Sequence, residues 1–255
     1  MSPPSDLGRI AQLLADRAGY LRNVIATPRE TCEVCYTPTD GYVRCFKCNE
    51  HANSGLALAD RVAALVYASE PDEQTYRVMR GYKRPHPAEE HIVVVGALLI
   101  VAMRGHITCL RSVSASDDLF WAAVPSTRNL GARHPLDVLV DRVAPSDCTR
   151  VQVSARVPLQ QARGLSPTRF EVDPASVAGQ HILVIEDSWV TGSHAQSVAA
   201  TMKAAGAAAV SILTVARVLS RDWKPSVAFE DTHLASASYD AMRCPWTDGA
   251  CPPGV

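Results

Sequence analysis

The sequence predicts an α/β protein with a central, mostly parallel sheet flanked by helices, and with a small cysteine-rich unit near the N-terminus. Two observations carry this prediction. Short apolar runs rich in branched residues, typical of strands buried on both faces, alternate with stretches of helical periodicity. Two Cys-x-x-Cys pairs come before most of these elements, and four thiolates at that spacing are typical of a zinc site.

The length and charge of the chain limit what it can be. Its 255 residues are enough for one core and a small accessory unit. We expect an N-terminal helix and zinc ribbon at 1–52, a main domain at 53–218, and a tail packed on that domain at 219–255. The formal net charge of -1 does not indicate nucleic acid or an anionic membrane as a partner of the whole protein.

The sequence also bears on compartment. The apolar stretch Ile92–Met103 is too short to span a bilayer. The segment Met1–Asp6 lacks the basic and apolar regions of a signal peptide. We therefore expect a cytoplasmic protein with no membrane partner, in which clustered cysteines bind metal rather than form disulfides.

The two cysteine pairs are the most specific pattern in the first fifth of the chain. Each pair can approach one metal ion through a tight turn, and Asp40-Gly41 suits a hairpin between the pairs. A closed shell of four thiolates leaves no open position for catalysis, so we predict a structural Zn²⁺. Its predicted ligands are Cys32, Cys35, Cys45 and Cys48. His51 could replace one thiolate, but we expect it to be an exposed side chain.

Periodicity supplies the remaining elements. Helices are predicted over Leu7–Val24, Leu56–Ala68 and Pro87–Arg104. Strands are predicted over Phe120–Val124, Arg150–Ser154, Ile182–Ile185 and Ala209–Val218. The stretch Tyr76–Arg84 alternates cations and aromatics with apolar residues, which predicts a half-exposed strand or hairpin. Such a segment is either a solvated surface or a site where Tyr82 stacks on a base and cations bind phosphates.

The most informative stretch follows the strand Ile182–Ile185. Glu186 and Asp187 stand at its end, and a short loop leads through Gly192 into a predicted helix. Two carboxylates at a strand end can hold a pair of sugar hydroxyls, and the first turn of a helix binds phosphate. The pattern therefore fits a ribose 5-phosphate. The alternative is a strand that ends in surface acids before an ordinary capped helix.

The same stretch resembles the PRPP-binding motif of type I phosphoribosyltransferases: four apolar residues, two acids, three residues, then Thr-Gly. PRPP is 5-phosphoribosyl 1-pyrophosphate. The resemblance implies the type I phosphoribosyltransferase fold, in which Glu186 and Asp187 are the catalytic pair that holds the ribose hydroxyls. It implies that the 5′-phosphate is bound by Val190, Thr191, Gly192, Ser193 and His194. The family often has Thr where Val190 and His194 stand, and purine-salvage members have a third acid at the Val190 position.

The order of motifs along residues 30–217 resembles the ComF family of phosphoribosyltransferase-like proteins. The resemblance implies a pyrophosphate-binding loop after the strand Phe120–Val124, with basic residues to assist. The implied loop ligands of pyrophosphate are Pro125, Ser126 and Thr127. The assisting cation is Arg128, Arg80, Lys83 or Arg77, and the sequence does not distinguish among them. The stretch Arg133–Leu136 departs from the family's usual Arg-Gly-Phe-Asn. The stretch Gln161–Arg169 is similar to the mobile loop that closes over PRPP.

Two functions are compatible with this resemblance. The first is a phosphoribosyltransferase, a pentosyltransferase that moves the 5-phosphoribosyl group of PRPP to an unidentified nucleophile with Mg²⁺ and releases pyrophosphate. The second is a non-catalytic, PRPP-binding accessory protein of DNA uptake and processing, in which the zinc ribbon binds single-stranded DNA or a protein partner. The presence of both acids and of Thr191-Gly192 favours PRPP binding in either case.

The other four cysteines carry weaker expectations. Cys109 and Cys148 are expected in the core. Cys244 and Cys251 lie in a tail without periodicity. They can meet each other or a metal ion, but we expect unpaired buried thiols.

Overall fold

The structure is a computed structural model, and it describes residues 6–114, 118–127, 133–156, 164–247 and 249–253. Two residues with predicted roles, Arg128 and Gln161, lie outside the described residues. No single described helix is long and apolar enough to cross a membrane; a pair bent by 45°, Glu89–Gly105 with Ile107–Ser114, reaches that length and composition only together.

The strands confirm the expected parallel sheet. They are β1 Arg61–Glu70, β2 Leu119–Ala123, β3 Thr149–Arg150, β4 Val153–Ala155, β5 Phe170–Val172, β6 His181–Trp189 and β7 Ala209–Ser220. Five of them form one sheet in the order β1-β7-β6-β2-β3, and all neighbours are parallel. The short strands β4 and β5 form a separate antiparallel pair.

Helices cover both faces of the sheet. They are α1 Asp6–Arg17, α2 Phe46–Ala52, α3 Gln74–Gly81, α4 Glu89–Ile100, α5 Ile107–Ser114, α6 Pro135–Val143, α7 Ser193–Ala204 and α8 Lys224–Phe229. A π-helical turn, Val101–Gly105, extends α4, and another, Glu230–Leu234, extends α8. The expected architecture, a parallel sheet flanked by helices with a four-cysteine cluster near the N-terminus, is therefore present.

Strand β6 shows why these apolar runs form a central strand. Leu183 and Ile185 pack into the core that contains α1, α4 and α6. Ile182 and Val184 pack on the other face, against α7. Successive side chains of a strand point to opposite faces, so a strand covered on both sides is apolar at consecutive rather than alternate positions.

The strand order creates a crevice at the carboxyl edge of the sheet. The chain passes from β2 to β3 on one side of the crevice and from β6 to β7 on the other. Adjacent parallel strands whose connections leave in opposite directions form a topological switch point, where α/β proteins bind ligands. The loops after β2 and β6 both leave from this point.

Two predicted elements were wrong, and each has a physical reason. The stretch predicted as helix Leu56–Ala68 contains instead the start of β1, whose residues Ala63–Ala68 are all buried. A short buried apolar run does not distinguish helix from strand by periodicity. The stretch Tyr76–Arg84 is mainly helix α3, which Glu73 begins by accepting hydrogen bonds from the backbone N–H groups of Thr75 and Tyr76.

Other boundaries shifted. The first helix ends at Arg17 rather than Val24, and the single strand predicted over Arg150–Ser154 is divided between β3 and β4. The tail, in which no periodicity was seen, contains α8. The domain boundaries at residues 52 and 218 stay predictions.

Candidate functional site

Glu186 and Asp187 lie inside β6 rather than beyond its end. Strand β6 pairs with β2 only as far as Ile185, but it continues beside β7 to Trp189, which pairs with Arg217. The last residues of β6 are therefore open on the side of β2, at the crevice. This tertiary extension of the strand was not visible in the apolar pattern, because Glu186, Asp187 and Ser188, which follow the apolar run, are polar.

Asp187 is held by three side chains. Its Oδ2 atom lies 2.7 Å from Lys83 Nζ and 3.7 Å from His134 Nε2, and it accepts a hydrogen bond of 2.8 Å from Tyr82 Oη. Burial by itself would raise the pKa of Asp187, but Lys83, His134 and the Tyr82 hydrogen bond together outweigh burial and hold that pKa below its usual value. Asp187 is therefore ionised at neutral pH.

Of these partners, Tyr82 differs from expectation and His134 had no predicted role. Tyr82 was considered as a base-stacking residue, but it is 2% exposed and its hydroxyl is committed to Asp187. His134 begins α6 by accepting the Leu136 N–H on Nδ1, so its Nε2 carries the proton and faces Asp187. Burial lowers the pKa of His134, which keeps it neutral at pH 7.

The pKa of Glu186 is shifted in the opposite direction to that of Asp187. Its Oε2 atom is buried and has no hydrogen-bond partner among the described residues. Burial, and then the negative charge of Asp187, raise the pKa of Glu186 to about 8. An acid pair with one protonated and one ionised member, at a crevice in the sheet, is typical of a functional site.

The loop after β6 turns sharply into α7. Gly192 has φ +74°, and a Cβ at this position would collide with the Trp189 ring. Thr191 Oγ1 lies 3.1 Å from Ser193 Oγ, so two hydroxyls gather at the start of α7. Val190 is 57% exposed. Hydroxyls beside the first turn of a helix of this length suit a phosphate group.

Two residues that support this loop were missed by sequence reasoning. His51 is 3% exposed, so the expectation of an exposed side chain was wrong, and its Nε2 lies 3.2 Å from Ser193 Oγ. Arg217 is buried in β7 and donates to the backbone carbonyls of Trp189 and Val190 at 2.7 and 3.3 Å. Both are separated from the loop in sequence, and no local pattern marks them.

The residues implied for pyrophosphate lie in different environments. Pro125 and Ser126 line a cavity of about 150 Å³ beside His134, at the end of β2. Thr127 follows them, half-buried. Lys83 is paired with Asp187, whereas Arg80 lies exposed, 5.7 Å from the Tyr76 ring centre. His194, implied for the 5′-phosphate, lies edge-on to the ring of Phe170.

The four N-terminal cysteines form a compact cluster. Their four Sγ atoms all lie within 4.8 Å of one another, and Cys35 Sγ is 3.7 Å from Cys45 Sγ. Across a tetrahedral zinc site with Zn–S bonds of about 2.3 Å, two sulfurs are about 3.8 Å apart. The cluster is therefore compatible with one structural zinc ion. Its fold is not a ribbon of two strands: the second pair opens helix α2, with Cys45 as N-cap.

Comparisons with known proteins add little to this geometry. No protein-family model and no curated protein matches the chain. Among the solved structures that match is one titled "Structure of the allosteric regulatory enzyme of purine biosynthesis", with 15% sequence identity and a TM-score of 0.36. The match covers 55% of this chain and 30% of that one, so this chain spans less than a third of its length. A likeness at that TM-score carries no argument about this protein.

Proposed function

We propose that the protein is a PRPP-dependent phosphoribosyltransferase that uses the type I phosphoribosyltransferase fold. The observation that carries the proposal is the acid pair: Glu186 has a buried oxygen without a partner among the described residues, and Asp187 beside it is ionised. A ligand that donates hydrogen bonds to both carboxyl groups would satisfy the Glu186 oxygen. The vicinal hydroxyls of a ribose are such donors.

The rest of the substrate fits the neighbouring loops. With the ribose on Glu186 and Asp187, the 5′-phosphate would bind to the amides and hydroxyls of Val190–His194, at the positive end of α7. The pyrophosphate would reach the loop after β2, with Pro125, Ser126 and Thr127. Lys83 and Arg80 offer positive charge on the side of α3.

Mg²⁺ is expected to arrive with the substrate. It prefers oxygen ligands, and the carboxyl groups of Glu186 and Asp187 suit that preference. When bound, the ion would offset negative charge on the departing pyrophosphate.

The reaction breaks the bond between ribose C1 and the pyrophosphate oxygen. The electron pair leaves with pyrophosphate, the nucleophile forms a new bond to C1, and the proton of the nucleophile passes to solvent. The positive charge that develops on the ribose ring resembles the oxocarbenium-like charge of glycoside cleavage. The contribution of this chain is to orient the ribose, to bind the leaving group and to exclude water.

Calorimetric titration with PRPP and Mg²⁺ tests the proposal. Asp187 is ionised, and a hydrogen bond to a charged group contributes roughly 1.5–3 kcal/mol, so Glu186→Gln with Asp187→Asn should weaken binding about ten- to a hundredfold. Glu171→Gln, an exposed acid on β5, is the control. Unchanged affinity in a double variant that still unfolds cooperatively would exclude Glu186 and Asp187 as the ribose-binding pair. An assay of pyrophosphate release from PRPP in the presence of each candidate nucleophile then tests turnover.

A second function is favoured by a different surface. Tyr42 and Phe46, beside the cysteine cluster, are 69% and 79% exposed, and Lys47 Nζ lies 5.4 Å from the Phe46 ring centre. With Arg44 and Trp223 they line a cavity of about 980 Å³. Exposed aromatics among cations are typical of surfaces that stack the bases of single-stranded DNA.

In this second function the protein is a PRPP-binding accessory factor, similar to ComF proteins, without turnover. Fluorescence anisotropy with a labelled oligothymidine tests it, because binding should weaken with salt. The double variant Tyr42→Ala, Phe46→Ala should reduce binding at least tenfold. Equal binding by wild type and variant would exclude this surface.

A further inference from the structure

A second group of metal-ligating side chains lies far from the N-terminal cluster in sequence. His106 follows the π-helical turn at the end of α4, and Cys109 lies in the first turn of α5. Cys244 and Cys251 come from the C-terminal tail. The four potential ligand atoms lie within 4.8 Å of one another. The tail cysteines were expected to be unpaired, and Cys109 a plain core residue; the structure brings all three together.

The separations match those of a tetrahedral site. His106 Nδ1 is 3.8 Å from Cys109 Sγ and 3.6 Å from Cys251 Sγ. With Zn–S bonds of about 2.3 Å and Zn–N bonds of about 2.0 Å, a nitrogen and a sulfur ligand are about 3.5 Å apart. A disulfide would instead bring two sulfurs to about 2.05 Å and would leave the third thiol and the imidazole without a role.

The imidazole is oriented as a metal ligand requires. His106 Nε2 lies 3.2 Å from the backbone carbonyl oxygen of Ala241, to which it can only donate. The proton is therefore on Nε2, and the lone pair of Nδ1 points at the sulfurs. A hydrogen bond from the other ring nitrogen to a carbonyl is the usual outer contact of a metal-bound histidine.

The backbone of the tail places Cys244 and Cys251 close to His106 and Cys109. Cys244 and Gly249 exchange backbone hydrogen bonds of 2.6 and 3.1 Å, and this turn returns the chain so that Cys251 approaches the group. Before the turn, Asn23 holds Asp240 through two hydrogen bonds of 2.7 and 2.9 Å. Cys109 and Cys244 are completely buried, and His106 is 1% exposed.

We propose that Nδ1 of His106 and the thiolates of Cys109, Cys244 and Cys251 bind a second structural Zn²⁺ ion. Binding displaces the three thiol protons to solvent, and the imidazole enters as the neutral base. With four protein ligands the site is closed, so it has no catalytic position. Its effect is to fasten the tail to the junction between α4 and α5, whichever function the acid pair serves.

Zinc content of the full chain, purified under reducing conditions without added metal, tests the proposal. The wild type should hold two equivalents, and the variant Cys244→Ser, Cys251→Ser should hold one. Cys32→Ser with Cys35→Ser should also hold one, through the other site. Cys148→Ser, a buried cysteine outside both groups, is the control and should keep two. One equivalent in the wild type that the tail variant keeps, or two in the tail variant, would overturn the proposal.

Two further measurements decide the case if the serine variant fails to fold. His106→Cys should keep two equivalents, because four thiolates also bind zinc, whereas His106→Ala should lose one. Mass spectrometry of the alkylated wild type should show Cys109, Cys244 and Cys251 protected until a chelator is added. A Cys244–Cys251 disulfide in the unreduced protein, with one zinc equivalent, would contradict the second site.

Discussion

His51 Nε2 lies 3.2 Å from Ser193 Oγ, and this contact joins the cysteine cluster to the loop proposed to bind phosphate. His51 stands in helix α2, which begins at Phe46 directly after its N-cap residue, Cys45. Ser193 is the first residue of α7. A metal ion on the cysteines would therefore fix α2, and α2 in turn positions a hydroxyl of the loop. This gives the cluster a role in the site even though it contains no catalytic position.

The first prediction concerns this contact. His51→Ala should weaken the binding of both PRPP and ribose 5-phosphate about fivefold, which corresponds to about 1 kcal/mol for one neutral hydrogen bond. Zinc content should not change. Calorimetric titration measures the affinities, and His86→Ala, an exposed histidine, is the control. Equal affinities in the His51 and His86 variants would show that the contact does not position the loop.

The second prediction concerns the pH dependence of stability. The pKa of Glu186 is about 8 in the folded protein, raised by burial above its ordinary 4.5. Between these values the folded state binds a proton that the unfolded state has lost. This acid therefore lowers the free energy of unfolding by about 1.4 kcal/mol per unit as pH rises from about 4.5 to 8, with no further loss above that.

Urea unfolding between pH 5 and pH 8.5 measures this slope. Glu186→Gln should remove most of it and should make the protein more stable than wild type at pH 8. Glu171→Gln, the exposed acid on β5, should leave the slope as it is. A Glu186 variant with the same slope as wild type would mean that Glu186 is ionised throughout.

The third prediction separates backbone strain from steric collision at the phosphate loop. Gly192 and Gly179 have nearly the same φ, +74° and +73°, so alanine is strained at both positions, at a cost of about 1 kcal/mol. Only at Gly192 would the new Cβ meet the Trp189 ring; at Gly179 nothing lies within 4 Å. Gly192→Ala should therefore displace the loop as well.

Thermal unfolding and PRPP titration of the two variants check this. Gly179→Ala should lower the melting temperature by a few degrees and bind PRPP as wild type does. Gly192→Ala should lower it further and lose at least tenfold in affinity. The same PRPP affinity in the Gly192→Ala and Gly179→Ala variants would mean that the turn at Gly192 does not shape the ligand site.

The fourth prediction concerns the N-terminal metal. Cys45→Ser should remove one zinc equivalent and lower the melting temperature. Serine is itself a good N-cap, so the start of α2 at Cys45 is preserved and the change isolates the metal. Elemental analysis and thermal unfolding measure both effects. Equal zinc content in the wild type and the Cys45→Ser variant, with these four thiols titrating as free in the wild type, would exclude a metal from this cluster.

The fold could be predicted where one local pattern has one physical outcome. The apolar run Ile182–Ile185 must be buried on both faces, so it indicated the central strand. The spacing of Cys32, Cys35, Cys45 and Cys48 indicated their cluster, because two short turns bring four thiols together. The predictions for Leu56–Ala68 and Tyr76–Arg84 were wrong for the opposite reason. The patterns of these segments suit either a helix or a strand, and tertiary packing decides between the two.

The sequence by itself indicated which residues to place at the proposed site: Glu186 and Asp187 after an apolar run, and Thr191-Gly192 before a helix. Only the tertiary structure decided the protonation states of Glu186 and Asp187, because the pKa of each acid depends on neighbours from distant segments. Lys83 and His134 keep Asp187 ionised, while burial keeps Glu186 protonated. The same holds for His106, Cys109, Cys244 and Cys251, which are separated by up to 145 residues in the chain and meet only when the tail folds back on the core.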